Sequence, residues 1–417
     1  MLSADLSDLP LFGDRAEDPS PGRHVDITGH LTNFANFGQR TLVERTESIP
    51  YFVNEFWTAG QRQSHSLHEV SYRACFKAQL PEFFIRLLTQ PGDTVFDPFM
   101  GRGTTPIQAA LMGRRPAGND INPLSTLLTR PRLNPPSVAQ VAERLSSIDW
   151  EDTGEQPDEL LAFYHPATLA RLSALQGWIA REAPVADASP DPVADWIRMV
   201  AINRLSGHSP GFFSGRSMPP NQAVSVKSQL RINEKLGVSP PPRDVIAIIL
   251  KKTRTLLADG GMPEHPPHAL MVGTADHTPE IADASIALVV TSPPFLDIVH
   301  YAADNWLRCW FAGIDVGAID IAMHRTEAAW EAMVKGVLLE QARILKPGGH
   351  VAFEVGEVRN GKVLLERLVW QAAEDLPFDR LGVMVNAQVF TKTANCWGVS
   401  NGKSGTNTNR IVLLRRR

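Results

Sequence analysis

Cysteine is scarce in this chain. Its 417 residues hold three, Cys75, Cys309 and Cys396, far apart and in no Cys-x-x-Cys or zinc-like spacing. An odd, dispersed set argues against a disulfide framework. His65 and His68 stand three apart without a second ligand group, so no metal is expected. Long apolar runs are missing too, and no membrane span is expected. Positive charge is not in excess: 41 Lys and Arg face 45 Asp and Glu, a net charge of −4. Binding to a polyanion would therefore need a local basic face. The opening residues, MLSADLSDLPLFGDRAEDPSPG, carry acids where a secretory signal carries Lys or Arg, and they lack an apolar segment. The cytoplasm is the expected compartment.

What is present is globular. Hydrophobic residues make up 43% and charged residues 21%, which argues against extensive disorder. The length exceeds one compact core, so a main domain with a large insertion is expected. Residues 1–45, rich in Asp, Pro and Gly, read as a loose arm. From Glu82, EFFIRLLTQ reads as a helix that stops at Pro91-Gly92. Thr94–Asp97 then reads as a buried strand, Thr104–Met112 as a helix and Arg115–Asp120 as a second strand, together a β-α-β unit. Residues 126–268 give helix-like segments without strand alternation. Strand-like runs resume at Ala269–Gly273 and Ile286–Val290, followed by a helix over Ala328–Leu345 and a strand over Val351–Val355. Val383–Phe390 and Arg410–Leu414 are β-like. The fold class expected is α/β, a Rossmann-like sheet interrupted after its second strand by a mostly helical insertion. Its parts are the arm (1–45), one half of the main domain (46–125), the insertion (126–268) and the other half (269–417).

VFDPFMGRGTT lies where a strand turns into a helix, the place where open α/β sheets bind ligands. Gly101 and Gly103 let the backbone approach a ligand. A dinucleotide turn wants Gly or Ala three residues after Gly103, and Pro106 stands there. A carboxylate at Asp97 would repel a pyrophosphate but suits an ammonium group. Asp120, at the end of the second strand, suits ribose hydroxyls. Asp276, in GTADH, suits an adenine amine. Ammonium, ribose and adenine together describe S-adenosylmethionine. Alternatively the glycines make only a tight turn and the aspartates cap helices.

Thr291-Ser-Pro-Pro-Phe295 follows a buried strand. Two prolines fix φ twice and remove two donors, leaving a rigid, acceptor-rich turn. An exocyclic base amine is a poor nucleophile, because its lone pair is delocalised into the ring. The Ser292 hydroxyl and Pro293 carbonyl, accepting both N–H hydrogens, would favour a tetrahedral nitrogen. Phe295 offers a face for an extruded base. The bland alternative is a stiff loop with an ordinary serine.

These segments resemble the amino-methyltransferases of DNA, the N4-cytosine and N6-adenine family. DPFMGRGTT is similar to the family's cofactor motif, and GNDINP to its ribose-binding strand end. GTADHTPEIADASIALVVTSPPF is similar to the run from the adenine-binding acid to the catalytic turn. ILKPGGHVAFEVGEV, the closing TKTANCWGVSNGKSGTNTNRIVLL and the lead-in HSLHEVSYRACFKAQLPEFFI also resemble family segments. The resemblance spans roughly residues 50–125 and 269–417. It implies a class I S-adenosylmethionine-dependent methyltransferase fold. Cofactor contacts would come from Asp97, Pro98, Phe99, Gly101, Gly103, Thr104, Thr105, Asp120, Ile121 and Asp276, and chemistry from Ser292, Pro293, Pro294 and Phe295. A T-S-P-P turn implies cytosine N4 in double-stranded DNA, as the modification half of a restriction system with a cognate endonuclease. The lead-in would pack over the methionine end of the cofactor. Three features depart from the pattern: Arg102 replaces a small residue, Phe295 replaces the commoner tyrosine, and the insertion follows the second strand rather than the third.

Nucleic acid would meet amide and cationic groups of the insertion, Arg216, Asn221, Gln222, Lys227, Arg231 and Lys235, or Lys392, Trp397 and Lys403 of the closing loop. Solvated loops are the plain alternative. Trp306 and Trp310 at i, i+4 read as helix core. Competing functions are adenine-N6 methylation of DNA, guanine-N2 methylation of RNA, and nucleic-acid binding without catalysis.

Overall fold

A computed structural model describes residues 25–57, 64–73, 75–187, 189–217, 223–296, 301–319, 324–359, 362–387 and 408–417. The strands among them are β1 (Leu42–Thr46), β2 (Ile49–Asn54), β3 (Thr94–Asp97), β4 (Arg115–Asp120), β5 (Ala269–Val272), β6 (Ile286–Thr291), β7 (Leu345–Val355), β8 (Glu357–Val358), β9 (Val363–Leu364), β10 (Phe378–Ala387) and β11 (Thr408–Arg416). The helices are α1 (Ile27–Thr32), α2 (Gln79–Leu88), α3 (Thr104–Leu111), α4 (Pro123–Leu133), α5 (Val138–Ser146), α6 (Pro166–Glu182), α7 (Pro192–Ile202), α8 (Val226–Leu236), α9 (Val245–Leu256), α10 (Tyr301–Ala312), α11 (Glu327–Ile344) and α12 (Leu365–Ala372). Among the described residues no helix is long and apolar enough to cross a membrane.

One sheet organises the molecule, in the order β1-β2-β10-β11-β7-β6-β3-β4-β5. β5, β4, β3, β6 and β7 pair in parallel, whereas β11 runs antiparallel to both β7 and β10. The central strands are short apolar runs: Val95, Phe96, Leu288, Val289 and Val290 are all 0% exposed. Such runs form where both faces of a parallel sheet are covered. The covers are α1 and α2 with β-face residues such as Val95 and Leu288 on one side, and α11 and α12 with Phe96 and Val289 on the other. The expected α/β fold is therefore present. Strand order reverses between β3 and β6, so the crevice at their carboxyl ends is the place for a ligand.

α4 to α9 lie between β4 and β5, and α4 starts at Pro123. Their apolar faces build a separate core around Phe163, Leu172, Trp196 and Ile249. Trp306 and Trp310 of α10 pack partly buried against that core. Residues 25–45 differ from the loose arm expected of them. Asp26 caps α1 by accepting from the Gly29 amide at 3.0 Å. Ile27, Leu31 and Phe34 are then buried with Phe56 and Phe83. The hairpin β1–β2 extends the sheet beyond β10.

Candidate active site

A cavity of about 540 Å³ opens at the carboxyl ends of β3, β4, β5 and β6. Pro98, Phe99 and Gly101 line it from the turn after β3, and Asp120 and Ile121 from the end of β4. Asp276 follows β5, and Ser292 and Pro294 follow β6. The two halves of the chain, separated by the insertion, thus meet at one cavity.

The first turn has a physical reason for each glycine. Gly101 has φ +49°, and its amide donates to Asp120 Oδ2 at 2.9 Å. The Asn122 amide donates to Asp120 Oδ1 at 2.9 Å. Burial pushes the Asp120 carboxyl above the usual range, while the Asn122 and Gly101 amides and the Ser125 hydroxyl oppose that rise. Gly103 has φ +76°, and a side chain there would run into Thr129 of α4. Arg102, the departure from the family's small residue, donates to the Val70 and Phe76 carbonyls at 3.0 and 3.1 Å. It ties the lead-in segment, whose Tyr72 and Cys75 line the cavity, to the glycine turn.

Four expected cofactor contacts do not line the cavity. Asp97 is 1% exposed, and its Oδ1 accepts from Thr291 Oγ1 at 2.6 Å and from the Phe99 amide at 3.0 Å. Burial pushes its carboxyl up to about 7 against hydrogen bonds from Thr291, Phe99 and Thr105. It braces β3 to β6 through its bond to Thr291. Gly103, Thr104 and Thr105 are buried behind the turn. There Thr105 Oγ1 donates to the Val290 carbonyl at 3.0 Å.

The second turn is held from α11 at Pro294. Trp330 Nε1 of α11 donates to the Pro294 carbonyl at 2.9 Å, while the Pro293 carbonyl receives no hydrogen bond among the described residues. Ser292 stands beside Glu354 of β7 and favours the ionised form of its carboxyl. Asn409 Nδ2 of β11 donates to Glu354 Oε1 at 2.9 Å. Burial raises the Glu354 carboxyl, and these two partners oppose the rise. Strand register sets this row, because Thr291 lies opposite Phe353 and Ile411 opposite Glu354. Pro293 is buried and absent from the cavity wall. Phe295 is half-buried and packs on the core around Trp330 and Val334. It does not offer the cavity a free face, because the apolar ring gains more against that core than in water.

Sequence reading missed Glu354, Trp330 and His324, the last in the cavity wall, and reached Tyr72 and Cys75 of that wall only as part of the lead-in segment. Glu354 did leave a signal, a single acid inside the apolar strand VAFEV. Asn221, Gln222, Lys392, Trp397 and Lys403 lie outside the described residues. Arg216 and Lys227 are exposed on the insertion.

The strand order and the crevice define a Rossmann-like class I methyltransferase fold. Residues 36–125 match the family model described as DNA methylase. The type II methyltransferase M.MjaII of Methanocaldococcus jannaschii is 39% identical over 69 residues, 16% of this chain and 13% of that protein. The type II methyltransferase M.BsoBI of Geobacillus stearothermophilus is 21% identical over 304 residues, 66% of this chain and 57% of that protein. The chain thus spans less than two thirds of either relative. Among solved structures, TrmN from Thermus thermophilus superposes with a TM-score of 0.32 at 13% identity, covering 84% of this chain and 52% of that one. Residues 36–125 are thus similar to the amino-methyltransferases of DNA, a family whose methyl donor is S-adenosylmethionine.

Proposed function

We propose that this chain methylates an exocyclic amine of double-stranded DNA, cytosine N4 first, with S-adenosylmethionine as donor. The observation that carries the reading is that Ser292 and the Gly101–Asp120 turn line one cavity. The residues present fit the cofactor. Asp120 keeps lone pairs on both oxygens for ribose hydroxyls, and Gly101 leaves a cradle that a Cβ would narrow to 3.3 Å from Cys75 Sγ. Asp276 would accept from the adenine amine, with Gly336 of α11 packed beside it. Bound, S-adenosylmethionine supplies an electrophilic methyl group on a sulfonium.

The chain's own groups prepare the nucleophile. Ser292, which lines the cavity, accepts an amine hydrogen and so draws the nitrogen lone pair out of the ring. Glu354 makes Ser292 an acceptor: a hydroxyl that donates its one hydrogen to a carboxylate turns its lone pairs to the substrate. Trp330 removes the Pro294 carbonyl from competition. Catalysis here is positioning rather than covalent chemistry.

The preference for cytosine N4 over adenine N6 rests on the T-S-P-P form of the turn. A role beside a cognate restriction endonuclease, in the cytoplasm, fits the type II relatives. The segment over 126–268 would serve target recognition. Methylation-aware sequencing of DNA from an expressing host, paired with nucleoside mass spectrometry of its DNA and RNA, tests all of this. N4-methylcytosine at a fixed sequence is expected. N6-methyladenine would correct the base, and methylation confined to RNA would overturn the reading.

A further inference from the structure

We propose that α8 is the insertion's duplex-docking element, its basic stripe lying along the phosphates of double-stranded DNA. The inference rests on the methyltransferase reading and names the surface that reading requires. Lys227, Arg231 and Lys235 recur at i, i+4 and i+8 and are all exposed. A rise of about 1.5 Å per residue sets them about 6 Å apart along one face. No salt bridge among the described residues engages them, whereas the insertion's Arg130 and Arg144 are paired with Asp195 and Glu182. Glu234 and Leu230, the latter 53% exposed, flank the stripe.

The inner face of α8 is attached by two amides, with Val226 at its start packed partly buried against the insertion's core. Gln229 Nε2 donates to the Arg216 carbonyl at 2.9 Å, and Asn233 Nδ2 donates to the Ala162 carbonyl at 2.7 Å. Both ends are closed, by Ser225 accepting from the Ser228 amide and by Gly237 at φ +61°. An ordered helix held by its polar side and presenting unpaired cations is complementary to a polyanion. A major groove about 12 Å wide admits such a helix, and an exposed leucine suits a thymine methyl.

Placement agrees. At the root of α8, Ser225 and Val226 share a notch of about 380 Å³ with Ala303 and Trp306. Those two residues belong to α10, the first helix after the Ser292 turn. The root of the helix that carries the stripe therefore lies beside the helix that follows the catalytic turn.

The test compares the parent with a Lys227→Ala/Arg231→Ala/Lys235→Ala variant. Fluorescence anisotropy of a mixed-sequence DNA duplex is read across a salt series, with S-adenosylhomocysteine present. Phosphate contacts are independent of sequence, and each adds about 0.9 to the slope of log affinity against log salt. The variant's slope should be shallower by about 2 to 3, with affinity at low salt down roughly ten-fold or more. Its thermal midpoint and S-adenosylhomocysteine affinity should equal the parent's. A parent-like slope in a parent that methylates DNA overturns the surface and leaves the proposed function standing. A loss seen on duplex RNA but not on DNA overturns the choice of DNA. A parent that binds the cofactor yet methylates no DNA overturns the function, and this inference with it.

Discussion

Ser292 and Glu354 stand side by side on neighbouring strands, one in the wall of the cavity and the other buried behind it, and Ser292 favours the ionised form of that carboxyl. In the proposed mechanism the carboxylate commits the hydrogen of a hydroxyl that could otherwise donate or accept. Asn409 holds the carboxylate from the far side at 2.9 Å.

Glu354→Gln should therefore lower kcat by about 10- to 100-fold, since an amide can donate to Ser292 and reverse the bond. Cofactor affinity should not change. Burial raises the Glu354 carboxyl, so the ionised form that Ser292 needs is lost as pH falls through a value above the ordinary glutamate range. The parent's kcat should show that acid limb and the variant should not. A limb of equal position in both proteins would remove Glu354 from the mechanism.

Ser292→Ala and Asp120→Ala should separate the two halves of the cavity. The first should cut turnover by about 100-fold or more while leaving S-adenosylmethionine affinity within about two-fold. The second should weaken cofactor binding first, because its carboxylate organises Gly101 and Asn122. Titration calorimetry and single-turnover rates measure both. Equal loss of cofactor binding in the two variants would show that Ser292 is misassigned.

Asp97→Asn should be tolerated, against the sequence expectation of an ammonium acceptor. Both Thr291 and Phe99 donate to Oδ1, and an asparagine oxygen accepts equally well. The Asp97 carboxyl is pushed up to about 7 by burial, so the folded state holds its proton more tightly than the unfolded chain does. Its contribution to stability is full below about pH 4 and is lost as pH rises through about 7. The cost above pH 7 is on the order of 4 kcal/mol. Urea titrations should give equal stability for parent and variant near pH 4 and a more stable variant at pH 8. Loss of cofactor binding in the variant would restore the ammonium role.

The orientation of Asp97 marks what a sequence can carry. β3 and β4 begin and end where their composition says, because buried runs bounded by turn residues leave little choice. The meeting of Ser292 with Asp120 was legible too, from strand ends of one parallel sheet. Residue type at a strand end does not tell which way a carboxylate turns, and Asp97 turns to Thr291. Glu354 was hidden for a related reason: only register shows which residue on β7 lies beside Ser292. The Asp-, Pro- and Gly-rich composition of residues 1–45 masked α1, whose burial depends on Phe56 and Phe83 far along the chain.

The two glycines of the first turn should fail differently. Gly103→Ala places a Cβ against Thr129, which is 0% exposed and whose Oγ1 is tied to the Ser125 carbonyl at 2.8 Å. Left-handed strain of about 1–2 kcal/mol and overpacking of about 1–3 kcal/mol should together destabilise the fold by about 2–5 kcal/mol. Thr129→Ala removes the two nearest atoms, so the double variant should be more stable than the sum of the singles by about 1 kcal/mol or more. Gly101→Ala meets Cys75 Sγ at 3.3 Å and the Tyr72 ring at 3.6 Å, both in the cavity wall. Its stability loss should be the backbone strain alone, while cofactor affinity falls about ten-fold as the cradle fills. Denaturant midpoints and cofactor titrations on the four variants read both effects. A Gly103 variant without stability loss, or a Gly101 variant with full affinity, would contradict the division of labour drawn from the two contacts.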